Sequence, residues 1–359
     1  MSDYLIKDTT LTGIADAIRG KTGSSDPIPT SAFANAISLI ETGGGGDTSQ
    51  EDALLEGTLT EYTNNRLTQL GEGAFAYTTL QKINLPALKT VSPYAFAYGK
   101  GLKSITLPLV ETVASSAFYA NSEITNINLP SMETMGKSAF FGCSKLTSAS
   151  FSKITLVEEN AFADCKGLTE VHFPVVTRTA MSAFVRCSNL TILDFPAVDV
   201  LGGSTFQYCS AISIANFPAV TTMGGNTFGY CTALTDAIFP ILPLVYSYCF
   251  RSCIELINTS FPLVSVVQSY AFADCRKLAA LSLPAAIEIS NWAFQSCSAL
   301  STLYLTGEAV CSLGGSSAFN KTGIKYNAGS IYVPASLLTA YQTATNWAYF
   351  STQFVAIED

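Results

Sequence analysis

Residues 161–174 read AFADCKGLTEVHFP, and this stretch decides the fold because its pattern returns every 22 residues. Its phenylalanine recurs at that interval as Phe96, Phe118, Phe140, Phe162, Phe184, Phe206, Phe228, Phe250, Phe272 and Phe294. Its proline recurs as Pro86, Pro108, Pro130, Pro174, Pro196, Pro218, Pro240, Pro262 and Pro284. A fixed period of this length is the signature of a solenoid whose coils contact only their neighbours. Function is therefore expected on a repetitive surface.

Each repeat contains one strand pattern, L-x-x-I-x-L-P, as at Leu80–Pro86, Leu102–Pro108 and Ile124–Pro130. Apolar residues such as Ile105 and Leu107 alternate with polar ones, which predicts a strand with one buried face. Proline has no backbone donor and ends the pairing there. The sequence predicts an α/β repeat solenoid with a parallel β-sheet of about 11–13 short strands.

Eight of the ten cysteines stand three residues after a repeat phenylalanine: Cys143, Cys165, Cys187, Cys209, Cys231, Cys253, Cys275 and Cys297. We expect them to be buried, reduced thiols in the core with the repeat phenylalanines, which include Phe140, Phe162, Phe184, Phe206 and Phe228. A ladder of zinc ions is the alternative. However, closely spaced ligand pairs are absent except for Cys249 and Cys253, so no metal is expected.

Composition limits the function classes. Only 13% of the residues are charged, 48% are hydrophobic, and the formal net charge is −8. An acidic, charge-poor chain has few cations to neutralise phosphates, so nucleic acid is not an expected partner. No stretch has the apolar length of a membrane span, so membrane insertion is not expected either.

The pattern divides the chain into five segments. Residues 1–42 have helical periodicity and predict a small attachment module, and residues 43–52 form a glycine-rich linker. Residues 53–79 are assigned to an N-terminal cap and opening coil, residues 80–305 to the repeats, and residues 306–359 to a C-terminal cap. Open solenoid ends expose strand edges and core, so caps are expected.

The C-terminal cap has its own pattern. Residues 331–334 predict a last strand, and the stretch from Ala335 to Trp347 predicts a helix. Leu338, Tyr341 and Trp347 are expected to cover the open end of the core.

The unit A-F-x-x-C-x-x-L-x-x-I-x-L-P, seen at residues 161–174, resembles the BspA-like leucine-rich repeat family over about residues 58–330. Unlike ordinary leucine-rich repeats, its cysteine precedes the strand and no asparagine column follows. The resemblance implies a leucine-rich-repeat solenoid and a non-enzymatic binding or adhesion protein without a cofactor.

The N-terminal segment carries a second resemblance. Residues 11–23, 26–28 and 33–37 resemble the N-terminal module of tail-associated proteins from phages and prophages of Gram-positive bacteria. This implies that residues 1–42 bind other tail proteins, and that the protein is made in the host cytoplasm, joins the virion tail and recognises a bacterial surface glycan or protein. The first ten residues lack the pattern of a secretory signal, as expected for a particle assembled in the cell. The alternative is a bacterial cell-surface adhesin whose export signal is missing from this sequence.

Aromatic residues near the C-terminal repeats are the first candidate binding residues. Two residues before the phenylalanine, most repeats carry Ser or Asn, whereas three successive repeats carry Tyr248, Tyr270 and Trp292, with Tyr246 close by. Aromatic side chains offer a large contact area at low entropic cost, which suits sugar or protein recognition. Packing of the rings on one another is the competing interpretation. It applies equally to Tyr208 and Tyr230, two residues after the phenylalanine.

The outward positions of the strands are the second candidate surface. His172, Asp194, Asn216 and Tyr304 are its candidate ligand-binding residues. A Ser-His-Asp arrangement can be drawn with Ser150 on the neighbouring strand. A flat sheet offers no oxyanion hole or water-excluding pocket, however, so no catalytic residues are expected.

A carboxylate-pair hydrolase is the remaining enzyme hypothesis, with Glu158, Glu159 and Asp164 as candidates. Charged residues in turns are normally solvated, and the sequence contains a single histidine. We therefore expect a binding protein.

Overall fold

The computed structural model of the chain describes residues 60–326 and 328–358. The predicted attachment module at 1–42, the linker at 43–52 and the first residues of the cap, 53–59, lie outside the described residues. The chain divides between Ser144 and Lys145 into two compact units, and each is described by itself.

Every predicted repeat contains a short parallel strand on the L-x-x-I-x-L-P pattern, and the two caps add Glu61–Thr63, Ser330–Pro334 and Phe354–Ile357. In the first unit these strands are Glu61–Thr63, Lys82–Asn84, Ser104–Thr106 and Asn126–Asn128. In the second unit they are Ser148–Ser150, Glu170–His172, Ile192–Asp194, Ile214–Asn216, Asp236–Ile238, Asn258–Ser260, Ala280–Ser282, Thr302–Tyr304, Ser330–Pro334 and Phe354–Ile357. Partners in adjacent repeats lie 22 residues apart, as Val171 and Leu193 do. The predicted parallel β-solenoid with a 22-residue period is confirmed.

The prediction of one strand series in one sheet was wrong. A second series of two-residue parallel strands lies on the return arm of each coil. It comprises Thr90–Val91, Thr112–Val113, Thr134–Met135, Leu156–Val157, Arg178–Thr179, Val200–Leu201, Thr222–Met223, Leu244–Val245, Val266–Val267, Glu288–Ile289 and Ser312–Leu313. The first series forms separate ladders, three of them in the second unit. Strands this short form few hydrogen bonds each, so the twist between neighbours readily interrupts a ladder.

The core of each unit lies between the two strand series. In Ser104–Thr106 the central Ile105 is buried and its neighbours are exposed, as period-2 alternation requires. In the second unit the repeat phenylalanines from Phe162 to Phe294 are fully buried and stacked, with ring centroids 5.2–5.7 Å apart. The structure also places Phe140 and all the repeat cysteines at 0% exposure.

The predicted helix of the C-terminal cap is present but shorter than predicted. The one α-helix in the described part of the chain is Leu338–Thr343, and 3-10 turns occupy Ser316–Phe319, Ile324–Tyr326, Ala335–Leu337 and Trp347–Phe350. The predicted cap helix ends at Thr343, before Trp347, because Ala344 adopts an extended backbone conformation with ψ of 148°. Tyr341 and Trp347 are buried, and the Trp347 indole Nε1 donates to the Cys311 carbonyl at 2.6 Å. The final strand, Phe354–Ile357, was not predicted.

Candidate binding surface

The turn that carries each repeat phenylalanine has the same backbone in coil after coil. The residue two positions before the phenylalanine has φ between 54° and 64° in Tyr94, Ser116, Ser138, Asn160, Ser182, Ser204, Asn226, Tyr248, Tyr270 and Trp292. The residue two positions after it is also left-handed, as in Arg186 and Tyr208. Backbone hydrogen bonds to the next coil hold the turn, such as the one from Phe184 N to Thr205 O at 2.9 Å. Side chains at these positions therefore repeat in register along the unit.

Three aromatic residues occupy the left-handed position before the phenylalanine in successive coils. The Tyr248 and Tyr270 rings stack with centroids 5.1 Å apart and planes 4° apart. The Tyr270 and Trp292 rings follow at 5.5 Å and 14°. Trp292 is 40% exposed and both tyrosines are half-buried, so this stack lies at the protein surface. Tyr246, in the same turn as Tyr248, is exposed but joins no ring stack among the described residues.

A second stack continues the first across an arginine. The Tyr208 and Tyr230 rings stack at 4.6 Å and 14°. The Arg251 guanidinium lies 5.6 Å from the Tyr230 centroid and 5.5 Å from the Tyr248 centroid, within cation–π range of both. We call the five rings and Arg251 the aromatic band. Arg186, 5.9 Å from the Tyr208 centroid, lies at its other end.

The outward strand positions give a less connected surface. His172 Nδ1 contacts the Asp194 carboxylate, and both side chains are about half exposed. Ser150 lies directly across the ladder from His172, and the described residues show no hydrogen bond between them. Asn216 is exposed on a separate ladder, and the Tyr304 ring stacks on Tyr332 at 4.7 Å. An exposed His–Asp pair lacks the exclusion of water that triad chemistry uses.

The other proposed catalytic groups are surface residues. Asp164 lies 3.5 Å from the Arg186 guanidinium and 4.0 Å from the Lys166 amine, so it belongs to a surface ion-pair cluster. Glu158 and Glu159 are partly exposed neighbours in one turn. Across residues 60–326 and 328–358, no group of three or more His, Cys, Asp or Glu side chains is placed to hold a metal ion. In the same ranges, every helix is too short or too polar to cross a lipid bilayer.

The cysteines have a bonding role that the sequence analysis missed. Seven of the repeat thiols, those of Cys143, Cys187, Cys209, Cys231, Cys253, Cys275 and Cys297, donate to the carbonyl of the repeat phenylalanine one coil earlier, as from Cys209 Sγ to Phe184 O at 3.0 Å. Asn121 occupies the same repeat position and makes the equivalent bond to Phe96 O at 2.7 Å. Burial raises the pKa of the Cys143 thiol to about 12, so the thiols stay protonated and can donate. These cysteines are structural donors, all free and buried.

The first unit has a surface stack of its own, which the sequence analysis did not predict. Tyr77 and Tyr98 stack at 4.9 Å, Tyr98 and Tyr119 lie 5.3 Å apart, and Tyr119 and Phe141 stack at 4.7 Å. These residues shift from two positions to one position after the repeat phenylalanine, so they do not align as one sequence column. Comparing adjacent positions in successive repeats would have revealed them.

The chain is similar to solved structures of leucine-rich repeat proteins. A leucine-rich repeat protein from Bacteroides ovatus matches with a TM-score of 0.65 and 22% identity over 84% of each chain. One from Eubacterium ventriosum matches with a TM-score of 0.47 and 22% identity over 74% of this chain and 77% of that one. A leucine-rich cell surface protein from Faecalibacterium prausnitzii has a TM-score of 0.41 and 19% identity over 82% and 90%.

The family assignment comes from the repeat pattern. No curated protein shows significant sequence similarity to the chain. The BspA type leucine rich repeat region, in six copies, matches residues 68–188, 133–244 and 221–344, which together cover more than half of the chain. Neither this match nor the Bacteroides ovatus structure indicates a catalytic family. The coils share one period and keep the phenylalanine, cysteine and proline columns in register. The chain belongs to the BspA-type leucine-rich repeat family.

Proposed function

We propose that this protein is a non-enzymatic recognition protein and that the aromatic band is its binding surface. The proposal rests on which residues occupy the left-handed position two residues before the repeat phenylalanine. Ser and Asn fill the left-handed position in the preceding coils of the second unit, whereas Tyr248, Tyr270 and Trp292 fill it in three consecutive coils.

Stacking does not explain this choice. A left-handed conformation costs an ordinary L-residue roughly 1–2 kcal/mol, and least for Gly and Asn. An aromatic pair returns only about 0.5–1.5 kcal/mol beyond burial. The two terms are of similar size, so stacking offsets the backbone cost and adds little to what burial of the half-buried rings contributes. Departures from local preference concentrate at functional sites, which supports a role for the rings in binding.

The partner in this proposal is a glycan or protein of a bacterial surface. We assign the protein to a phage or prophage tail, attached through residues 1–42 to other tail proteins, on the basis of the resemblance of that segment. A cell-surface adhesin would use the same band from a different location. Tail genes beside this gene would support the first assignment, and genes for surface proteins would support the second.

The test is binding of the purified full chain to a panel of intact Gram-positive bacteria. The test variant is Tyr248→Asn with Tyr270→Asn and Trp292→Asn, because Asn accepts the left-handed backbone. The matched control is Tyr94→Asn, since Tyr94 is 44% exposed with φ of 54° and stacks on no ring in the described residues. We expect strain-selective binding that the control retains and the triple variant loses. Equal binding by the two variants would remove the aromatic band as the binding surface.

A further inference from the structure

Stacking leaves most of the aromatic band with ring edges, and not ring faces, towards the solvent. Tyr270 has Tyr248 on one side and Trp292 on the other, so both of its faces are covered. Trp292 ends the stack: among the aromatic rings of the described residues only Tyr270 stacks on its indole, and Trp292 is 40% exposed. Trp292 therefore offers the one broad aromatic face of this three-ring stack.

The next coil keeps that face open because it carries only small residues there. Phe294 stacks on Phe319, which aligns the segment Gly314-Gly315-Ser316-Ser317 with the turn of Trp292. A Cβ atom on Gly315 would lie 2.5 Å from Asn291 Oδ1, so glycine at this position lets the Asn291 side chain lie close to the segment. The Ser317 hydroxyl donates to the same Oδ1 at 2.7 Å. The Trp292 face is thus bordered by amide and hydroxyl groups.

The sequence around Trp292 also carries few charges. Residues 289–307 and 309–320 contain no Asp, Glu, Lys, Arg or His, Glu308 alone lies between them, and Lys321 follows. Arg186 lies beside Tyr208, and Arg251 lies between Tyr230 and Tyr248. Both arginines contact rings that precede Trp292 in the coil order. A flat apolar face with neutral hydrogen-bonding groups at its border suits a ligand that is amphipathic and uncharged.

We propose that the Trp292 face binds one pyranose ring of a neutral glycan. The apolar C–H face of the sugar stacks on the indole, and its hydroxyl groups bond to Asn291 and Ser317. This inference rests on the proposed recognition function and refines its ligand. A protein ligand would instead need a larger apolar contact, and an anionic polymer would need a cluster of cations around the indole.

The test uses a bacterial strain that the full chain binds, with the cells digested by proteinase K or left intact. Binding is measured at 0.05 M and 0.5 M NaCl. The variants are Trp292→Asn, which removes the ring, Trp292→Phe, which keeps a smaller aromatic face, and Tyr94→Asn as the matched control. In parallel, acrylamide quenching of tryptophan fluorescence is measured with and without polysaccharide extracted from that strain. The chain has two tryptophans, and Trp347 is fully buried, so accessible quenching reports Trp292.

We expect binding to survive proteinase K and high salt, and the polysaccharide to protect Trp292 from acrylamide. Trp292→Asn should weaken binding about tenfold or more, equal to about 1.4 kcal/mol, while Trp292→Phe weakens it less and Tyr94→Asn leaves it unchanged. Loss of binding after proteinase K would overturn the glycan inference in favour of a protein ligand. Loss at high salt, or an unprotected Trp292, would also overturn it. In those cases the recognition function stands, whereas a wild-type chain that binds no strain would contradict the recognition function itself.

Discussion

Two columns of stacked rings run side by side through the second unit, one inside and one outside. Phe250 and Phe272 lie 5.2 Å apart with planes 12° apart, and Tyr248 and Tyr270 lie 5.1 Å apart with planes 4° apart. The geometry is nearly the same, yet the phenylalanines are fully buried and the tyrosines reach the solvent. The coil repeat imposes stacking on any aligned aromatic residues. Stacking alone therefore does not indicate function, whereas three stacked rings at the exposed left-handed position of consecutive coils support one.

The largest expected effect is a loss of stability at alkaline pH. It concerns only the inner column, because the buried thiols lie beside the phenylalanines. Burial raises the pKa of Cys143, Cys249 and Cys311 from 9.0 to about 12. Between these values the unfolded chain has lost thiol protons that the folded chain keeps. The free energy of unfolding should therefore be full below about pH 9 and fall towards pH 12, by about 1.4 kcal/mol per pH unit for each thiol. Urea denaturation at pH 8 and pH 10.5 measures the loss.

Cys143→Ser is the matched control for this pH dependence, since serine does not titrate in that range. Its loss of stability between pH 8 and pH 10.5 should be smaller than that of the wild type. Equal stability of the wild type at both pH values would show that thiol burial does not govern its alkaline limit.

Removing one ring from each column is the next test. Phe250 is fully buried against Phe228, Phe239, Phe261 and Phe272, so Phe250→Ala should cost about 3–5 kcal/mol through lost burial and a cavity. Tyr270→Ala should cost far less, because its ring already contacts water. Urea midpoints of the two variants give the comparison. Equal losses would mean that the outer column contributes to the core after all.

The hydrogen bonds from the cysteine thiols to the phenylalanine carbonyls contribute a smaller amount to the free energy of unfolding. Cys209→Ala removes the donor to Phe184 O and leaves a buried carbonyl unpaired, which should cost about 1–3 kcal/mol. Cys209→Ser keeps a donor of similar size and should retain more stability than Cys209→Ala, as the polar donor Asn121 at the same repeat position indicates. If Cys209→Ala proved as stable as Cys209→Ser, the thiols would act only as apolar filler.

Much of the fold follows from the sequence because burial repeats strictly. Phe206 and Cys209 recur with counterparts 22 residues away, so their place in the core is predictable. The return strands were missed because two residues such as Val200–Leu201 are too short to show alternation. The cap helix was predicted too long because the backbone becomes extended at Ala344, and apolar spacing alone does not show this.

The candidate surface was only partly predictable. The sequence alignment of Tyr248, Tyr270 and Trp292 predicts their proximity, since equal repeat positions are neighbours in a solenoid. It does not predict that Arg251 joins Tyr248 to Tyr230, because the three occupy different repeat positions. Nor does it show the left-handed backbone, which Ser, Asn, Tyr and Trp all adopt at the same position.

The smallest expected change in stability is that of Tyr270→Asn, and it tests whether the outer rings serve binding or folding. Tyr270→Asn removes two stacking contacts, worth about 0.5–1.5 kcal/mol each, and relieves a left-handed tyrosine, worth about 1–2 kcal/mol. The terms oppose each other, so the urea midpoint should stay nearly unchanged. Asn226, one coil before Tyr248 in the same column, shows that asparagine fits this turn with φ of 59°. A loss above about 2 kcal/mol would mean that the ring stabilises the fold, and the argument that it is kept for binding would fail.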